Sequence, residues 1–372
     1  MKRVVLVNQS TGYLMIDIAN AFAEACDDVV LLAGGIKVAE RTLHPKIKVG
    51  KITAYNRGSS LKRLWTWGWA SLQIFTRLLF KYRKYEVVYV TNPPMAYLSS
   101  LLLKNPFSII VYDTYPDALK NVGIGKGNVI YRWWSKKNKK LFAKAKKVVT
   151  LSDGMADCLA NYVEREKITV VPNWSSKADF KPLSKSENSF VKEHGLGGKF
   201  TVLYSGNMGF THNVETIIEV ANYIKENKAI HFMLIGDGKK KPELMEKAKQ
   251  YGLDNCTFLD WQPVDVLPYS LASADLGVIT LNDETALVSV PSKTYNLLAV
   301  GAPLLCIAPK ESEIASLVAR FNNGKCYGPD ETEAIASFIE TLASDSELKN
   351  QMASRSFEAS KNFTFANAKM YL

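Results

Sequence analysis

Short runs of aliphatic and β-branched residues alternate with stretches of helical periodicity along most of the chain. In the first half the apolar runs predict strands at Arg3–Asn8, Val29–Ala33, Ile47–Tyr55, Val87–Thr91, Ser108–Asp113, Lys147–Leu151 and Ile168–Pro172. Between most of them the pattern predicts helices, at Leu14–Cys26, Leu61–Lys84, Ala96–Lys104, Ile130–Lys144 and Gly154–Val163. Strands that are apolar almost throughout are buried on both faces, and with helices between them they build a parallel, doubly wound sheet. Residues 173–199 break the rhythm; they are polar, contain Pro182, Gly195, Gly197 and Gly198, and read as a linker. The alternation then restarts, with strands expected at Phe200–Tyr204, Ile230–Ile235, Thr257–Leu259, Leu276–Thr280 and Pro303–Ile307. Helices are expected at Asn213–Lys225, Pro242–Tyr251, Val264–Ala272 and Ser292–Ala299, and the end reads as all helix (Glu311–Ala319, Glu331–Ala343, Ser346–Ser360). The expected fold is α/β: two Rossmann-like doubly wound domains, over 1–172 and 200–360, facing a central cleft at the carboxyl ends of both sheets.

Composition narrows the class. With 372 residues, 47% of them hydrophobic and 22% charged, the chain is neither disordered, collagen-like nor a coiled coil, and its length suits two domains. The five cysteines, Cys26, Cys158, Cys256, Cys306 and Cys326, form no CxxC pair, so they read as reduced core residues of a cytoplasmic protein. Met1–Asn8 enters a strand directly, without the apolar region of a signal peptide. The longest apolar stretches, Leu64–Phe80 and Tyr97–Tyr112, are interrupted by Gln73 and Arg77 and by Lys104 and Pro106. Neither is the roughly 18–20 uninterrupted apolar residues of a spanning helix.

Charge adds a partner. Residues 1–172 hold 27 Lys/Arg against 12 Asp/Glu, and 173–372 hold 20 against 24. Residues 51–150 alone hold 19 against 3, together with Trp65, Trp67, Trp69, Trp133 and Trp134, five of the seven tryptophans. Leu61–Lys84 reads as a helix with basic ends and aromatics within. Ile130–Lys147 sets Arg132, Lys136, Lys139, Lys140 and Lys147 towards one side, and Ile130, Trp133, Trp134, Leu141 and Ala145 towards the other. Such helices suit an anionic membrane surface, with rings at headgroup level. The alternative is an apolar face packed on the sheet and a merely solvated row of lysines. Two such helices in one half favour the membrane. Nucleic acid is the weaker partner, because no helix-turn-helix, zinc-finger or RNP pattern is present.

Candidate site residues lie where strands run into turns. Phe200–Tyr204 leads into Ser205-Gly206-Asn207-Met208-Gly209, where glycines let a ligand approach and a helix start offers amides to phosphate. Ile230–Ile235 leads into Gly236-Asp237-Gly238 and Lys239–Lys241, short of a full dinucleotide fingerprint. Plain strand-to-helix turns account for both as well. Gly123, Gly125 and Gly127 also alternate, but no strand leads into them. Pro291-Ser292-Lys293 opens a helix, with Ser292 as N-cap; the same geometry would aim amides and the Lys293 ammonium at a diphosphate, whereas simple capping explains Ser292 but not Lys293. In the first half, Asn8 to Tyr13 and Thr91-Asn92-Pro93-Pro94 end strands. Asp113-Thr114-Tyr115-Pro116-Asp117 sets two carboxylates at the cleft mouth, where one can take a proton from an incoming hydroxyl. Alternatively, Asp117 caps a helix and Asp113 pairs with a lysine. No histidine pattern binds metal, and there is no GxSxG elbow or P-loop.

At these residues the chain resembles the GT-B, family-4-like glycosyltransferases. YSGNMG (204–209), LIGDGKKK (234–241), FLDWQP (258–263) and VPSKTYNLLAVGAP (290–303) fall in the order and spacing of their C-terminal domain. YDTYPDALKNVG (112–123), VVTLSDGMADCL (148–159) and ITVVPNW (168–174) are similar to the subgroup that builds bacterial polysaccharides. The resemblance implies a retaining transferase, peripheral on the inner face of the cytoplasmic membrane. Its donor would be a nucleotide diphosphate sugar, its acceptor a lipid-linked (polyprenyl diphosphate) saccharide, and it would need no metal or other cofactor. It implies donor contacts from Gly206, Asn207, Gly236, Asp237, Gly238, Pro291, Ser292, Lys293 and Asn296, with Gly12 and Tyr13 near the transferred sugar. Asn8, Thr11, Asn92, Tyr115 and Asp117 would face the acceptor, whose hydroxyl Asp113 would orient or deprotonate. Residues 361–372 would form a helix packed back on the N-terminal domain. Two family glutamates are replaced by Val288 and Asn296. Asn207 stands where the family has Arg, and Phe210-Thr211-His212-Asn213 supplies no Lys. The diphosphate charge then falls to backbone amides, Lys293 and a lysine of 239–241. The rivals are a nucleotide-sugar epimerase or hydrolase on the same fold, a non-catalytic nucleotide-binding protein, and, last, an NAD enzyme.

Overall fold

The computed structural model describes the chain apart from residues 39, 57, 123–124, 211 and 287–289, so Gly123, Thr211 and Val288 lie outside the described residues. It divides into two compact units, Met1–Asn173 with Phe365–Leu372, and Trp174–Thr364.

The first unit is a seven-stranded sheet: β1 (Arg3–Val7), β2 (Asp28–Ala33), β3 (Ile47–Lys51), β4 (Glu86–Val90), β5 (Phe107–Val111), β6 (Val148–Thr150) and β7 (Ile168–Val170). Every neighbouring pair is parallel, in the order β3-β2-β1-β4-β5-β6-β7. Val5, Leu6, Leu31, Val87 and Ile109 are fully buried, as an apolar strand covered on both faces requires. The helices are α1 (Tyr13–Ala25), α2 (Ser60–Phe80), α3 (Val129–Lys144) and α4 (Asp153–Leu159). α2, α3 and α4 start on Ser59, Asn128 and Ser152, each accepting an amide bond of the first turn. The stretch expected as a helix at 96–104 is a 3₁₀ turn, Ala96–Leu101, and α2 ends at Phe80 rather than Lys84.

The second unit holds β8 (Phe200–Ser205), β9 (Ile230–Ile235), β10 (Cys256–Leu259), β11 (Leu276–Thr280), β12 (Leu304–Ile307) and β13 (Gly324–Tyr327). They are parallel throughout, in the order β10-β9-β8-β11-β12-β13. Its helices are α5 (Ser189–Glu193), α6 (Glu215–Tyr223), α7 (Lys241–Gln250), α8 (Leu267–Leu271), α9 (Asp283–Ala286), α10 (Ser292–Ala299), α11 (Glu313–Phe321), α12 (Thr332–Ser344) and α13 (Ser346–Ser360). In both sheets the chain moves outward on one side of the first strand and then restarts on the other. That reversal leaves a crevice at the carboxyl ends of the strands.

Two expectations change, and the helix expected at the end of the chain lies with the first unit. β13 lies between two expected helices, where no strand was expected; Gly-Lys-Cys-Tyr has no apolar run, and its place is set by pairing with β12, where a Cβ on Gly324 would stand 2.0 Å from the Leu304 carbonyl oxygen. Residues 174–199, read as a linker, belong to the second unit: Trp174 is fully buried, and Phe190, Val191 and Leu196 are buried too. Their polar residues are used rather than solvated, as where Asn188 caps α5 and Lys185 pairs with Asp275. The last residues form a 3₁₀ helix, Phe365–Tyr371, in the first unit; Tyr371 is buried and Arg41 lies 5.1 Å from the Phe365 ring centroid. Of the cysteines, Cys26 and Cys306 are buried, whereas Cys158, Cys256 and Cys326 are partly exposed.

Candidate active site

A cavity of about 370 Å³ opens in the second unit at the carboxyl ends of β8 and β9. It is lined by Ser205, Gly206, Asn207, His212 and Ile235, by Trp261, Gln262, Leu267 and Leu271, and by Pro291, Ser292, Lys293 and Asn296 at the start of α10. The size and the mixed lining suit a small polar ligand with a flat apolar part.

Lys293 is the unusual member. Its ammonium is enclosed, 4.0 Å from the Tyr204 ring centroid, and makes no hydrogen bond among the described residues, although solvent reaches the rest of the residue. Desolvation lowers its pKa from the ordinary lysine value to about 7, and the Cys306 thiol offsets this only in part. His212 Nδ1 lies 3.0 Å from the Thr280 carbonyl oxygen. That oxygen only accepts, so Nδ1 carries the ring proton. Burial lowers the imidazole pKa, the carbonyl contact opposes this, and Lys293 and Lys240 lower it further.

Several expected donor residues do other work. Gly236 has φ +137, and a Cβ there would stand 2.0 Å from the Gly206 carbonyl oxygen. The Gly206 amide donates to Ile235 O (2.9 Å) and the Met208 amide to Asp237 O (2.8 Å), so residues 236–238 clamp the 206–208 turn. Gly236, Asp237 and Gly238 therefore lie outside the cavity lining, and Asp237 is exposed with its carboxylate accepting the Gly238 amide. Lys240 pairs with Glu215 (2.5 Å) and Lys241 with Asp260 (2.5 Å), which removes both from the expected phosphate contacts; Lys239 is exposed. Ser292 is not the N-cap: Pro291 holds that position without a side-chain bond, and Ser292 is the first helical residue. Asn296 Oδ1 accepts from the Ser176 amide (3.0 Å) and from the Ser175 and Ser176 hydroxyls (3.3 Å each), so that carbonyl is committed within the protein.

In the first unit Asp113 follows β5. The Thr91 hydroxyl oxygen, beyond the neighbouring β4, accepts from the Tyr112 and Asp113 amides at 3.0 and 3.1 Å and so fixes this backbone. Asp113 is exposed, yet the protein crowding it on its other sides desolvates the carboxylate and raises its pKa. Asp117 is different, since its two oxygens accept from the Tyr131 and Tyr162 hydroxyls at 2.6 Å each. Its expected acceptor role gives way to tying α3 to the chain after α4. Tyr115 is stacked on Trp134 (5.7 Å between centroids), and its carbonyl accepts from Asn138 (2.6 Å). Asn8 and Thr11, expected at the cleft, are buried and bonded inside their own turn. Gly12 precedes α1 and Tyr13 begins it; burial and then Asp17, which pairs with Arg41 at 2.6 Å, push the Tyr13 phenol up to about 12. Asn92 is half-buried with its side-chain oxygen unpartnered.

The tryptophans divide. Trp65 (69% exposed) and Trp69 (47%) stack at 6.1 Å, and with Leu61, Leu64 and Leu72 they make an exposed apolar stripe on α2. Trp133 is 48% exposed beside Val129 and Ile130, with Lys136 and Lys140 also exposed. Trp67 and Trp134 turn inward, against the expectation: Trp134 is buried and donates to the Tyr97 hydroxyl (2.7 Å), and Trp67 stacks on Tyr55 (5.8 Å). Two residues along a helix is about 200° around it, so Trp67 faces away from Trp65 and Trp69.

The family models "Glycosyltransferase Family 4" and "Glycosyl transferases group 1" match residues 12–174 and 186–359. The chain belongs to the family-4-like glycosyltransferases of the GT-B fold. A probable glycosyltransferase of Pseudomonas aeruginosa, WbjE, is 26% identical over 287 residues, 73% of this chain and 70% of its own. WcaI of Escherichia coli (strain K12), provisionally assigned as a colanic acid biosynthesis glycosyl transferase, is 28% identical over 236 residues, 62% of this chain but 58% of its own. Among solved structures, Anabaena Alr3699/HepE in complex with UDP and glucose superposes with a TM-score of 0.73 at 17% identity, covering 100% of this chain and 98% of its own.

The glycosyltransferase thus has a cavity whose residues the sequence named only in part. Gly206, Asn207, Pro291, Ser292, Lys293 and Asn296 were expected there; His212, Trp261, Gln262, Leu267 and Leu271 were not. The one available signal was FLDWQP falling at the end of a strand. Thr91 gave no signal beyond its place at a strand end.

Proposed function

We propose that this glycosyltransferase moves a sugar from a nucleoside diphosphate sugar to a lipid-linked saccharide in the making of a cell-surface polysaccharide. In this reading the reaction retains anomeric configuration, needs no metal, and takes place on the inner face of the cytoplasmic membrane. The observation that carries the donor assignment is the desolvated Lys293 nitrogen, which lines a cavity of nucleotide size and has no hydrogen-bond partner among the described residues, so that an anion there would supply its missing counter-charge. The UDP in the HepE complex and the colanic acid assignment of WcaI support the donor class and the pathway class.

The first unit would hold the acceptor, with Asp113 orienting or deprotonating its hydroxyl. A desolvated carboxylate with a raised pKa suits a proton acceptor. In a front-face retaining reaction the departing phosphate can itself take that proton, and Asp113 then only positions the hydroxyl. The exposed stripe of α2, the exposed start of α3 and the surrounding lysines would meet anionic lipid.

The deciding experiment is a thermal-shift screen against UDP, GDP, ADP, dTDP and NAD without added metal. A rise with one nucleoside diphosphate is expected and names the donor base. A rise with NAD alone would sink the reading. Asp113→Asn should slow turnover without moving Tm, and unchanged turnover would remove Asp113 from the reaction.

A further inference from the structure

We infer that His212 is a second phosphate-binding residue of the donor cavity, and that a nucleoside diphosphate binds there together with protons taken up by His212 and Lys293. This rests on the donor-site reading above.

The geometry begins with what is missing. Lys240 and Lys241 are paired with Glu215 and Asp260 and so are not available to a ligand. Among the described residues lining the cavity, Lys293 and His212 are the two that can carry positive charge. Lys293 lines the cavity, and its enclosed nitrogen has no hydrogen-bond partner among the described residues. His212 shares that wall, and its Nδ1 is committed to the Thr280 carbonyl (3.0 Å). The ring therefore has one polar atom left, Nε2. In the neutral tautomer Nε2 holds a lone pair, which repels a phosphate oxygen; only the imidazolium can donate there.

The surroundings favour neutral forms until an anion arrives. Against Lys293 lie the Tyr204 phenol of β8 and the Cys306 thiol of β12, both with pKa raised by burial and so uncharged, and His212 itself. Against His212 lie Lys293 and Lys240, the latter neutralised by Glu215 of α6. Among the described residues, no carboxylate is among the charges acting on either group. A diphosphate would supply the absent counter-charge and raise both pKa values.

The sign follows. With a pKa of about 7, Lys293 is about nine-tenths neutral at pH 8, and His212, lowered from 6.5, is nearly all neutral. Binding at pH 8 should take up about one proton onto Lys293, drawn from the buffer, and more as His212 charges. Affinity should fall roughly tenfold per pH unit above 7 from the lysine alone, and more steeply if both groups charge.

Isothermal titration of the full chain with UDP, GDP, ADP and dTDP, without metal at pH 8, tests this in PIPES and in Tris, whose ionisation enthalpies differ. The expected result is a buffer-dependent enthalpy reporting uptake of about one proton or more. Lys293→Arg, permanently charged, should keep binding while losing the lysine's share of the uptake. His212→Gln should bind more weakly, lose the remaining share and flatten the pH slope. Binding with no buffer dependence would overturn the inference and leave the donor site standing. Uptake unchanged in His212→Gln would remove the histidine. No binding of any of the four between pH 6 and 8 would overturn the donor-site reading itself.

Discussion

At the scale of single residues, the acids and bases of this glycosyltransferase separate by what surrounds them. Asp113 and Asp117 are four positions apart, yet among the described residues the Asp113 carboxylate has no hydrogen-bond partner, whereas Asp117 accepts two tyrosine hydroxyls at 2.6 Å. Asp117→Asn should therefore cost about 1–3 kcal/mol, read as a drop of a few degrees in Tm. Asp113→Asn should leave Tm in place. Lys293→Ala should reduce kcat/KM on the nucleotide sugar by roughly 10²–10³-fold, the scale of losing one preorganised charge at a developing anion, with at most a small change in Tm, because what is lost beside the Tyr204 ring is offset by removing a desolvated nitrogen with no hydrogen bond among the described residues. Neither role is written in the residue type. Asp113 and Asp117 were both acidic residues near a strand end, and what distinguishes them is two tyrosines brought from 14 and 45 residues away.

At the scale of elements, α2 and α3 each present two surfaces. The inward tryptophan of α3 is packing: Trp134→Ala should cost about 3–5 kcal/mol and be visible in thermal or chemical unfolding. The outward pair is not, so Trp65→Glu with Trp69→Glu should abolish sedimentation with anionic liposomes while leaving Tm within a degree or two. Wild-type indifference to such liposomes at low salt would remove the membrane assignment. Helical periodicity made both helices visible in the sequence but not their rotation, because aromatic and basic residues occur all round α2. β13 shows the opposite failure: in Gly-Lys-Cys-Tyr only the tyrosine favours a strand, and pairing with β12 over-rides a weak local preference. The 174–199 segment was misread because its polar composition hides Trp174 and three buried apolar residues in and beside one turn of helix.

At the scale of the whole molecule, the positive charge belongs to one part of the chain, 19 basic against 3 acidic residues over 51–150. Liposome binding should accordingly weaken steeply between 50 and 500 mM salt, as exposed charges are screened. The closing residues 365–372 join the first unit through buried Ala368 and Tyr371. Their deletion should lower Tm by several degrees, and an unchanged melting curve would show that the first unit is stable without them. The sequence by itself determined the class of fold, two parallel doubly wound sheets, because apolar alternation and turn chemistry are local and repeat along the chain. It also carried the family, since GNMG and VPSK stand in register. What only the tertiary structure decided was which polar side chains remain available: burial of the Lys293 nitrogen, the commitment of Lys240, Lys241, Asn296 and Asp117, and the placing of His212 on the cavity wall. Each depends on partners far away in sequence, and desolvation is a property of the packed environment rather than of any residue.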